Sequence, residues 1–279
     1  MTPITTARRA SRRADLRATL RVIRWAARAG WEDRKALFTW RSWTFGWFLR
    51  LVTQVLFFAL IGVLLGSEEQ VHWLFVGNVV AIAALGTLAV GPDASEERYY
   101  GTLPLLVAAP SSPIPVLTGK TLLWMAEAFV TSVLAFVLLA PPLGHPLVFP
   151  DQLVLLPVLA TVVFANYALG IFMASLVFRA VHLGNTVFNF VFWLMAAICG
   201  VNVAVEFFPA AIERLAYVLP LTHGLRAIRG ALGQADYAIW AEAGAELLVG
   251  AAWLALALMG FAWLAEGGRR DGTLDHAPG

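Results

Sequence analysis

Residues 73–91 read WLFVGNVVAIAALGTLAVG, a run without a single charged side chain. A helix needs about 20 predominantly apolar residues to cross the hydrocarbon core of a bilayer, so this run predicts a membrane-spanning helix. In hydrocarbon every backbone polar group must be paired, which leaves helices and closed barrels as spanning structures. The long alternation of apolar and polar residues that barrel strands require is absent from the sequence, which favours helices.

Five more runs have the same character. They cover residues 43–65, 117–139, 153–178, 186–205 and 244–265. The chain of 279 residues is 59% hydrophobic and 14% charged, with a mean hydropathy of +0.73. A soluble domain carries about 25% charged residues, so a soluble all-helical fold of this length would lack the charge to cover its surface. The sequence predicts an all-α polytopic membrane protein with six transmembrane helices within residues 43–265.

The basic residues indicate the orientation of these helices. Sixteen of the twenty Lys and Arg residues fall on one side of the predicted bilayer, namely the eleven that precede Trp43 together with Arg98, Lys120, Arg179, Arg269 and Arg270. The opposite side has only Arg214, Arg226 and Arg229, and Arg50 lies inside the first run. Cytoplasmic loops are enriched in Lys and Arg. We therefore expect both termini, including the tail 266–279, in the cytoplasm. The Ala- and Arg-rich composition suggests a bacterial genome of high GC content, so we expect the chain in a bacterial plasma membrane.

Residues 1–42 predict a cytoplasmic amphipathic helix. Apolar residues recur at helical spacing, at Leu16, Leu20, Ile23, Ala27 and Trp31. A second stripe of arginines follows the first four of these by one position each, at Arg17, Arg21, Arg24 and Arg28. A helix with this pattern lies on an anionic inner leaflet. The alternative is a solvated helix with one charged face.

Polar side chains inside the apolar runs are expensive to bury, at about 2.5–3.5 kcal/mol for an ionisable group. The candidates for intramembrane roles are Arg50, Asn78, Glu127, Asn166 and Asn189. Arg50 is close enough to the start of its run to extend towards the inner headgroups. Glu127 shares a helix face with Lys120, which favours a structural pairing, with contact to a translocated substrate as the alternative. The asparagines are expected to join helices by hydrogen bonds, and Glu246, at the start of the last run, is expected at the interface.

No catalytic, cofactor or metal site is predicted on this chain. Gly119-Lys120-Thr121 resembles the end of a phosphate-binding loop, but position 114 is Ile where that motif requires Gly. The single cysteine, Cys199, excludes an intrachain disulfide and a Cys-rich metal site. The histidines fall in separate loops without metal-ligand spacing; they are His72, His145, His182, His223 and His276.

Two segments between the runs have unusual composition. Residues 94–116 begin acidic, continue apolar and end in prolines. This order favours a short amphipathic helix that docks into a groove of a soluble partner, and an ordinary connecting loop is the alternative. Residues 206–243 are too polar to cross a bilayer and too apolar for a free loop. Here we expect a helix that enters the outer leaflet partway, a break at Pro220, and a second short helix.

The same two segments carry the motifs of a family. Four motifs appear in order in and just after the first segment: Glu97-Arg98, Gly101-Thr102-Leu103, Pro110-Ser111 and Gly119-Lys120. Two more lie in the second segment: Pro220-Leu221-Thr222 and Arg229. In these motifs and in its six runs the chain resembles the ABC-2 family of transporter permeases, particularly exporters of the daunorubicin-resistance type. It departs from the family pattern at Tyr99, Pro104 and Arg226.

This resemblance implies a function and an assembly. Two permeases, identical or related, would assemble with two cytoplasmic ABC ATPase subunits that bind Mg-ATP. Membrane lipids would surround this chain, and no nucleic-acid partner is expected. Coupling to the ATPase would fall to Glu96, Glu97, Arg98, Gly101, Thr102, Leu103 and Leu106. The path would be lined by the first, second and fifth runs, with an extracytoplasmic gate at Pro220, Leu221, Thr222, Arg226 and Arg229. The cargo would be a hydrophobic or amphipathic molecule, such as a drug, an antibiotic or a lipid-like compound, moved out of the cytoplasm.

Two other classes were weighed against this one. A secondary transporter or channel that is not driven by ATP usually shows inverted repeats and broken helices, whereas the two halves of this sequence share no evident pattern. A membrane enzyme would need a nucleophile, a base or a metal set that converges on one site.

Overall fold

A computed structural model describes residues 3–93, 114–144, 150–177 and 181–271. The helices in this part of the chain are α1 Pro3–Leu37, α2 Leu49–Leu64, α3 Glu68–Leu88, α4 Ile114–Leu139, α5 Leu155–Val177, α6 Gly184–Ile198, α7 Ala210–Val218, α8 Thr222–Ala231 and α9 Ile239–Asp271. A π-helical turn at Ser42–Phe48 leads directly into α2, and a 3₁₀ turn at Asp151–Val154 leads into α5. The predicted all-helical class is confirmed for these residues.

Among the described residues, five helices are long and apolar enough to cross a membrane. They occupy Ser42–Leu64, Glu68–Asp93, Thr118–Leu139, Asp151–Val177 and Ile239–Phe261. The remaining predicted run, 186–205, contains α6, whose 15 residues end at Ile198. At 1.5 Å per residue α6 is about 22 Å long, shorter than the ~30 Å hydrocarbon core. The chain turns at Gly200, where φ is 87°, so a sixth crossing stays a prediction.

The centre of the bundle is formed by α3 and α5. In the most apolar part of the α3 span 89% of the residues are buried, against 22% for the α2 span and 17% for α9. A helix that is apolar all round and buried belongs in the middle of a bundle. The outer helices α2, α4 and α9 keep large apolar side chains exposed, among them Phe57, Leu64, Val130, Leu138, Leu248 and Met259. In a bilayer such faces contact lipid tails or another protein.

Small residues allow the helices to approach closely. A Cβ on Gly86 of α3 would lie 2.8 Å from the Cβ of Ala128 on α4. A Cβ on Gly250 of α9 would lie 2.8 Å from the Cα of Ala165 on α5. Both distances are shorter than ordinary contact, so glycine is needed at these crossings, as is common between membrane helices.

The N-terminal helix α1 packs along the first half of α4. Ala26 and Gly30 are buried at this contact, and a Cβ on Gly119 of α4 would collide with the carbonyl of Ile23. Leu20 and Trp31, from the predicted leaflet-facing stripe, are exposed. The helix itself is therefore confirmed, its contact with α4 was not predicted, and its position on the inner leaflet stays a prediction. At the other end of the chain, α9 continues to Asp271, beyond the predicted boundary at 265.

Candidate functional site

The predicted coupling residues lie outside the described part of the chain, because they all fall within 94–113. They are Glu96, Glu97, Arg98, Gly101, Thr102, Leu103 and Leu106. What the structure does describe is the boundary of this segment, at the end of α3 and the start of α4.

A cluster of charged and aromatic residues joins these two boundaries to α1; we call Arg34, Trp43, Asp93, Trp124 and Glu127 the inner cluster. Arg34 forms an ion pair with Glu127 of α4, and its guanidinium lies 3.8 Å above the ring of Trp124. The indole N–H of Trp124 donates to Oδ2 of Asp93 at 2.9 Å, and that of Trp43 donates to Oε1 of Glu127 at 2.9 Å. Burial lowers the pKa of Arg34, and the nearby Asp93 carboxylate acts in the opposite direction.

The structural pairing expected for Glu127 is present, but its partner is Arg34 and not Lys120. Lys120 pairs instead with Asp33 of α1, with 3.4 Å between Nζ and Oδ2. Sequence spacing within α4 could not reveal this, because both partners come from a helix more than eighty residues earlier. As a result the C-terminal part of α1 is bound to α4, and Trp124 of α4 in turn contacts Asp93 on the other side of residues 94–113.

A groove of about 250 Å³ opens between α2, α3 and α6. Its polar lining residues are Arg50, Gln54, Asp93, Asn185 and Asn189, and its aromatic ones are Trp47, Trp124, Phe188, Phe192 and Trp193. Trp47, Arg50 and Gln54 are three and four residues apart, so they share one helix face. Asn185 and Asn189 are four apart on α6 for the same reason, and Asn189 Nδ2 donates to the Asn185 carbonyl at 2.7 Å.

Two of the predicted intramembrane polar residues, Arg50 and Asn189, meet at this groove. The sequence identified each one singly and gave no signal that they share a cavity. The other two asparagines lie elsewhere. Asn78 of α3 donates to Oδ1 of Asn202, in the turn after α6, at 3.0 Å, so this bond joins a helix to a turn and not two helices. Asn166 donates to the carbonyl of Val162, one turn earlier in its own helix α5.

On the opposite side of the bundle, α7 and α8 are joined by Pro220-Leu221-Thr222, which we call the gate turn. The backbone N–H of Leu221 donates to Oε1 of Glu246 at 2.7 Å, and that of Gly224 donates to Oε2 at 2.9 Å. The hydroxyl of Thr222 donates to the carbonyl of Ala216 at 2.6 Å. A carboxylate from α9 therefore caps the N-terminus of α8, where unpaired N–H groups and the helix dipole favour negative charge.

The depth at the membrane interface expected for Glu246 stays a prediction, but the side chain faces the interior of the protein. Its side chain is fully buried, because its two oxygens are used by the start of α8. A Cβ on Gly224 would lie 3.3 Å from the carboxyl carbon of Glu246 and would collide with Val162. Only glycine at this position lets α8 approach the carboxylate so closely.

Arg226 of α8 is the centre of a polar network. Its Nε donates to Oε1 of Glu242 at 2.7 Å, and Nη1 donates to Oε1 of Glu206 at 2.6 Å. Nη1 also donates to the hydroxyl of Tyr217 at 2.7 Å, and the guanidinium lies 4.2 Å from the ring centre of Tyr237. Charge-assisted bonds of this length are among the stronger hydrogen bonds in proteins. The network ties α8 to α7 and α9.

Arg229, one turn further along α8, points into the protein and is buried. Its guanidinium lies 3.3 Å above the ring of Trp73 at the start of α3, and Nη2 donates to the carbonyl of Val201 at 3.2 Å. A Cβ on Gly77 would collide with that same carbonyl. Arg229 thus fixes α8 to α3 and to the turn that follows α6.

The predicted gate residues Pro220, Leu221, Thr222, Arg226 and Arg229 therefore lie in the gate turn and α8. Sequence reasoning missed their partners Glu206, Glu242, Glu246 and Trp73. The available signal was the spacing of four between Glu242 and Glu246, which places both carboxylates on one face of α9. Within the described residues no group of three His, Cys, Asp or Glu side chains could hold a metal ion.

The five apolar helices that are long enough to span a bilayer indicate a multi-pass membrane protein. The family model described as ABC-2 type transporter matches residues 33–232. The chain belongs to the ABC-2 type transporter family, and the matched residues include both the groove and the gate turn. Comparison with curated proteins found none that matches.

Proposed function

We propose that this chain is the transmembrane permease subunit of an ATP-binding cassette exporter. It moves a hydrophobic or amphipathic molecule out of the cytoplasm, using ATP that is hydrolysed by a separate subunit. Beside the family membership, one observation supports this function above all: a polar groove lies between α2, α3 and α6 and includes Asp93, the last described residue before 94–113. The groove that binds the cargo and the segment that contacts the ATPase would then be adjacent in the chain.

The coupling step uses residues 96–106 as the contact with a cytoplasmic ABC ATPase. Two ATPase subunits bind Mg-ATP and close, which displaces the end of α3 and the start of α4. The inner cluster joins α1 to both of these boundaries, so α1 moves with them. The groove then opens between α2, α3 and α6, and a second permease, a copy or a relative, forms the other half of the path.

The outer step takes place at the gate turn. Because α8 is held by Glu246, by the Arg226 network and by Arg229, a shift of α9 or α3 is transmitted to it directly. In this proposal the gate turn lies on the extracytoplasmic side and both termini lie in the cytoplasm, with the protein in the plasma membrane of a bacterium. The distribution of basic residues supports this orientation.

The experiment that tests this function is co-purification of the permease with its ATPase. Leu103→Asp and Leu106→Asp place a charge on the apolar coupling segment, and we expect each to remove most of the bound ATPase and of the coupled ATP hydrolysis. Leu20→Asp is the matched control, because Leu20 is an exposed leucine of α1; it should keep both. Full ATPase association in both coupling variants would contradict the proposal. Transport in vesicles that is driven by an ion gradient, without any ATPase, would indicate a secondary transporter instead.

A further inference from the structure

Arg50 is a cation in an apolar span that no described carboxylate neutralises. Its guanidinium rests over the ring of Trp47, 4.9 Å from the ring centre, and its side chain is exposed to the groove. In the described residues it forms no ion pair. A charged side chain inside a membrane span is costly unless it meets a partner, water or a ligand. The position of Arg50 therefore indicates what the groove accommodates.

Gln54 and Asn185 add amide groups to the same groove, and the structure shows no hydrogen bond from either side chain within the described residues. The acidic lining residue, Asp93, is already engaged. It accepts a hydrogen bond from Trp124 at 2.9 Å and lies close enough to Arg34 to act on the pKa of that guanidinium. The groove therefore presents amide donors and the Arg50 guanidinium, which forms no ion pair within the described residues, a combination that favours an anion.

The size and walls of the groove indicate the rest of the ligand. Its volume of about 250 Å³ is near the lower end of the ~300–1,000 Å³ found for small-molecule sites. This volume has room for a charged group and the first part of an apolar body. The walls beside Arg50 are aromatic, with Trp193 and Phe192 from α6, and such rings bury apolar surface well.

We propose that the groove between α2, α3 and α6 binds the anionic group of an amphiphile, with Arg50 as the residue that recognises the charge. The ligand carries a phosphate, sulfate or carboxylate on an apolar or aromatic body. Where this ligand is the exported cargo, the inference rests on the function proposed above. An anionic membrane lipid offers the same chemistry, so the test must separate the two sources.

The test uses the full chain with Cys199→Ser, so that one introduced cysteine is the only thiol. Asn189→Cys places this thiol in the groove, and the protein is studied in phosphatidylcholine nanodiscs without an ATPase. The rate of modification by N-ethylmaleimide is measured with decyl phosphate, decyltrimethylammonium or decyl glucoside, each below its micelle concentration. His182→Cys is the control, because His182 is exposed near the start of α6 and does not line the groove.

Decyl phosphate should slow modification at position 189 about fivefold at a concentration about four times its Kd, as mass action requires. The cationic and neutral amphiphiles should have little effect, and position 182 should react equally fast throughout. Arg50→Gln should abolish the protection, while Arg50→Lys, which keeps the charge, should retain most of it. Equal protection by all three amphiphiles, protection that survives Arg50→Gln, or a thiol at 189 that never reacts would each overturn the proposal.

A second arm separates the two sources of the anion. Nanodiscs that contain phosphatidylglycerol supply an anionic lipid. If the lipid occupies the groove, modification at 189 is already slow in these discs and decyl phosphate adds nothing; if the cargo occupies it, the rates match those in phosphatidylcholine alone. Either result supports an anion site at Arg50. Since no ATPase is present, a failure of ATPase association would leave this measurement unaffected, and the two proposals fail separately.

Discussion

Oε1 of Glu246, on the last spanning helix, accepts the backbone N–H of Leu221 at 2.7 Å, and Leu221 is the one described non-glycine residue with a positive φ, 91°. A side chain in this region of backbone space costs about 1–3 kcal/mol and persists only when its surroundings hold it there. The buried carboxylate provides that restraint, together with the bond from Thr222 to Ala216. The gate turn is therefore a strained element that one residue of α9 keeps in place.

Glu246→Gln should loosen the gate turn. A carboxylate accepts both N–H groups, whereas an amide has one oxygen and turns its NH₂ towards the remaining donor. The loss of one buried charge-assisted bond should destabilise the protein by about 1–3 kcal/mol. Thermal unfolding in detergent measures this loss, and trypsin cleavage after Arg214 or Arg226 should become faster as the segment opens.

Glu213→Gln on α7 is the control for this prediction, since it makes the same chemical change close to the gate turn without touching the cap. It should alter the unfolding temperature and the cleavage rate little, as is usual away from a buried network. If Glu246→Gln behaved like Glu213→Gln, the restraint on Leu221 would have to come from elsewhere.

The pairing of Arg34 with Glu127 predicts that α1 can be released by a single substitution. Both side chains are less than one-fifth exposed, so Glu127→Gln leaves a largely buried guanidinium without its carboxylate, at a cost of about 1–3 kcal/mol. Trypsin should then cut α1 faster after Arg24 and Arg28, which are exposed. The double variant with Arg34→Gln should recover part of the loss, because contacting residues are not additive.

Glu32→Gln is the matched control for the α1 prediction. Glu32 pairs with Lys35 three residues later, and both side chains are more than half exposed. An exposed pair of this kind contributes about 0–1 kcal/mol, so cleavage of α1 should be unchanged. An equal acceleration by Glu32→Gln and Glu127→Gln would contradict a specific role for the inner cluster.

The helices were predictable from the sequence because the bilayer imposes a simple rule on composition. The apolar run 73–91 correctly predicted the central helix α3. The break expected at Pro220 does separate α7 from α8. The end of α6 was not predictable in the same way. Residues 199–205 are apolar except for Asn202, but they form an irregular turn at Gly200. The position of this turn is fixed by contacts with Arg229 and α3, which hydropathy does not record.

For the candidate site, the sequence predicted individual residues and motifs but not the contacts between them. Arg50 was identified because charge is rare inside the apolar runs, and Arg226 and Arg229 were identified through the family resemblance, whereas the partners of Arg226 and Arg229 were not identified. Glu246 illustrates the reason: its position at the start of an apolar run indicated an interface, but its role is set by N–H groups more than twenty residues earlier. Long-range pairing between helices leaves no periodicity in the sequence.

Gly77→Ala should disturb the contact between α3 and the turn after α6. An added Cβ would collide with the carbonyl of Val201, the same carbonyl that accepts from Arg229. Overpacking of this kind costs about 1–3 kcal/mol, which thermal unfolding should detect. Gly244→Ala is the control, because a Cβ there meets nothing within 4 Å and alanine favours a helix; it should be neutral or stabilising. Equal stability of the two variants would contradict this tight contact.

The proposed orientation predicts which exposed positions a membrane-impermeant thiol reagent reaches in intact cells. Asp236 and His182 are both exposed in the structure, and the proposed orientation has them on opposite sides of the membrane. In a Cys199→Ser background, Asp236→Cys should be labelled from outside, and His182→Cys only after the cells are permeabilised. The reverse pattern would invert the topology, and would leave residues 94–113 on the wrong side for any cytoplasmic ATPase.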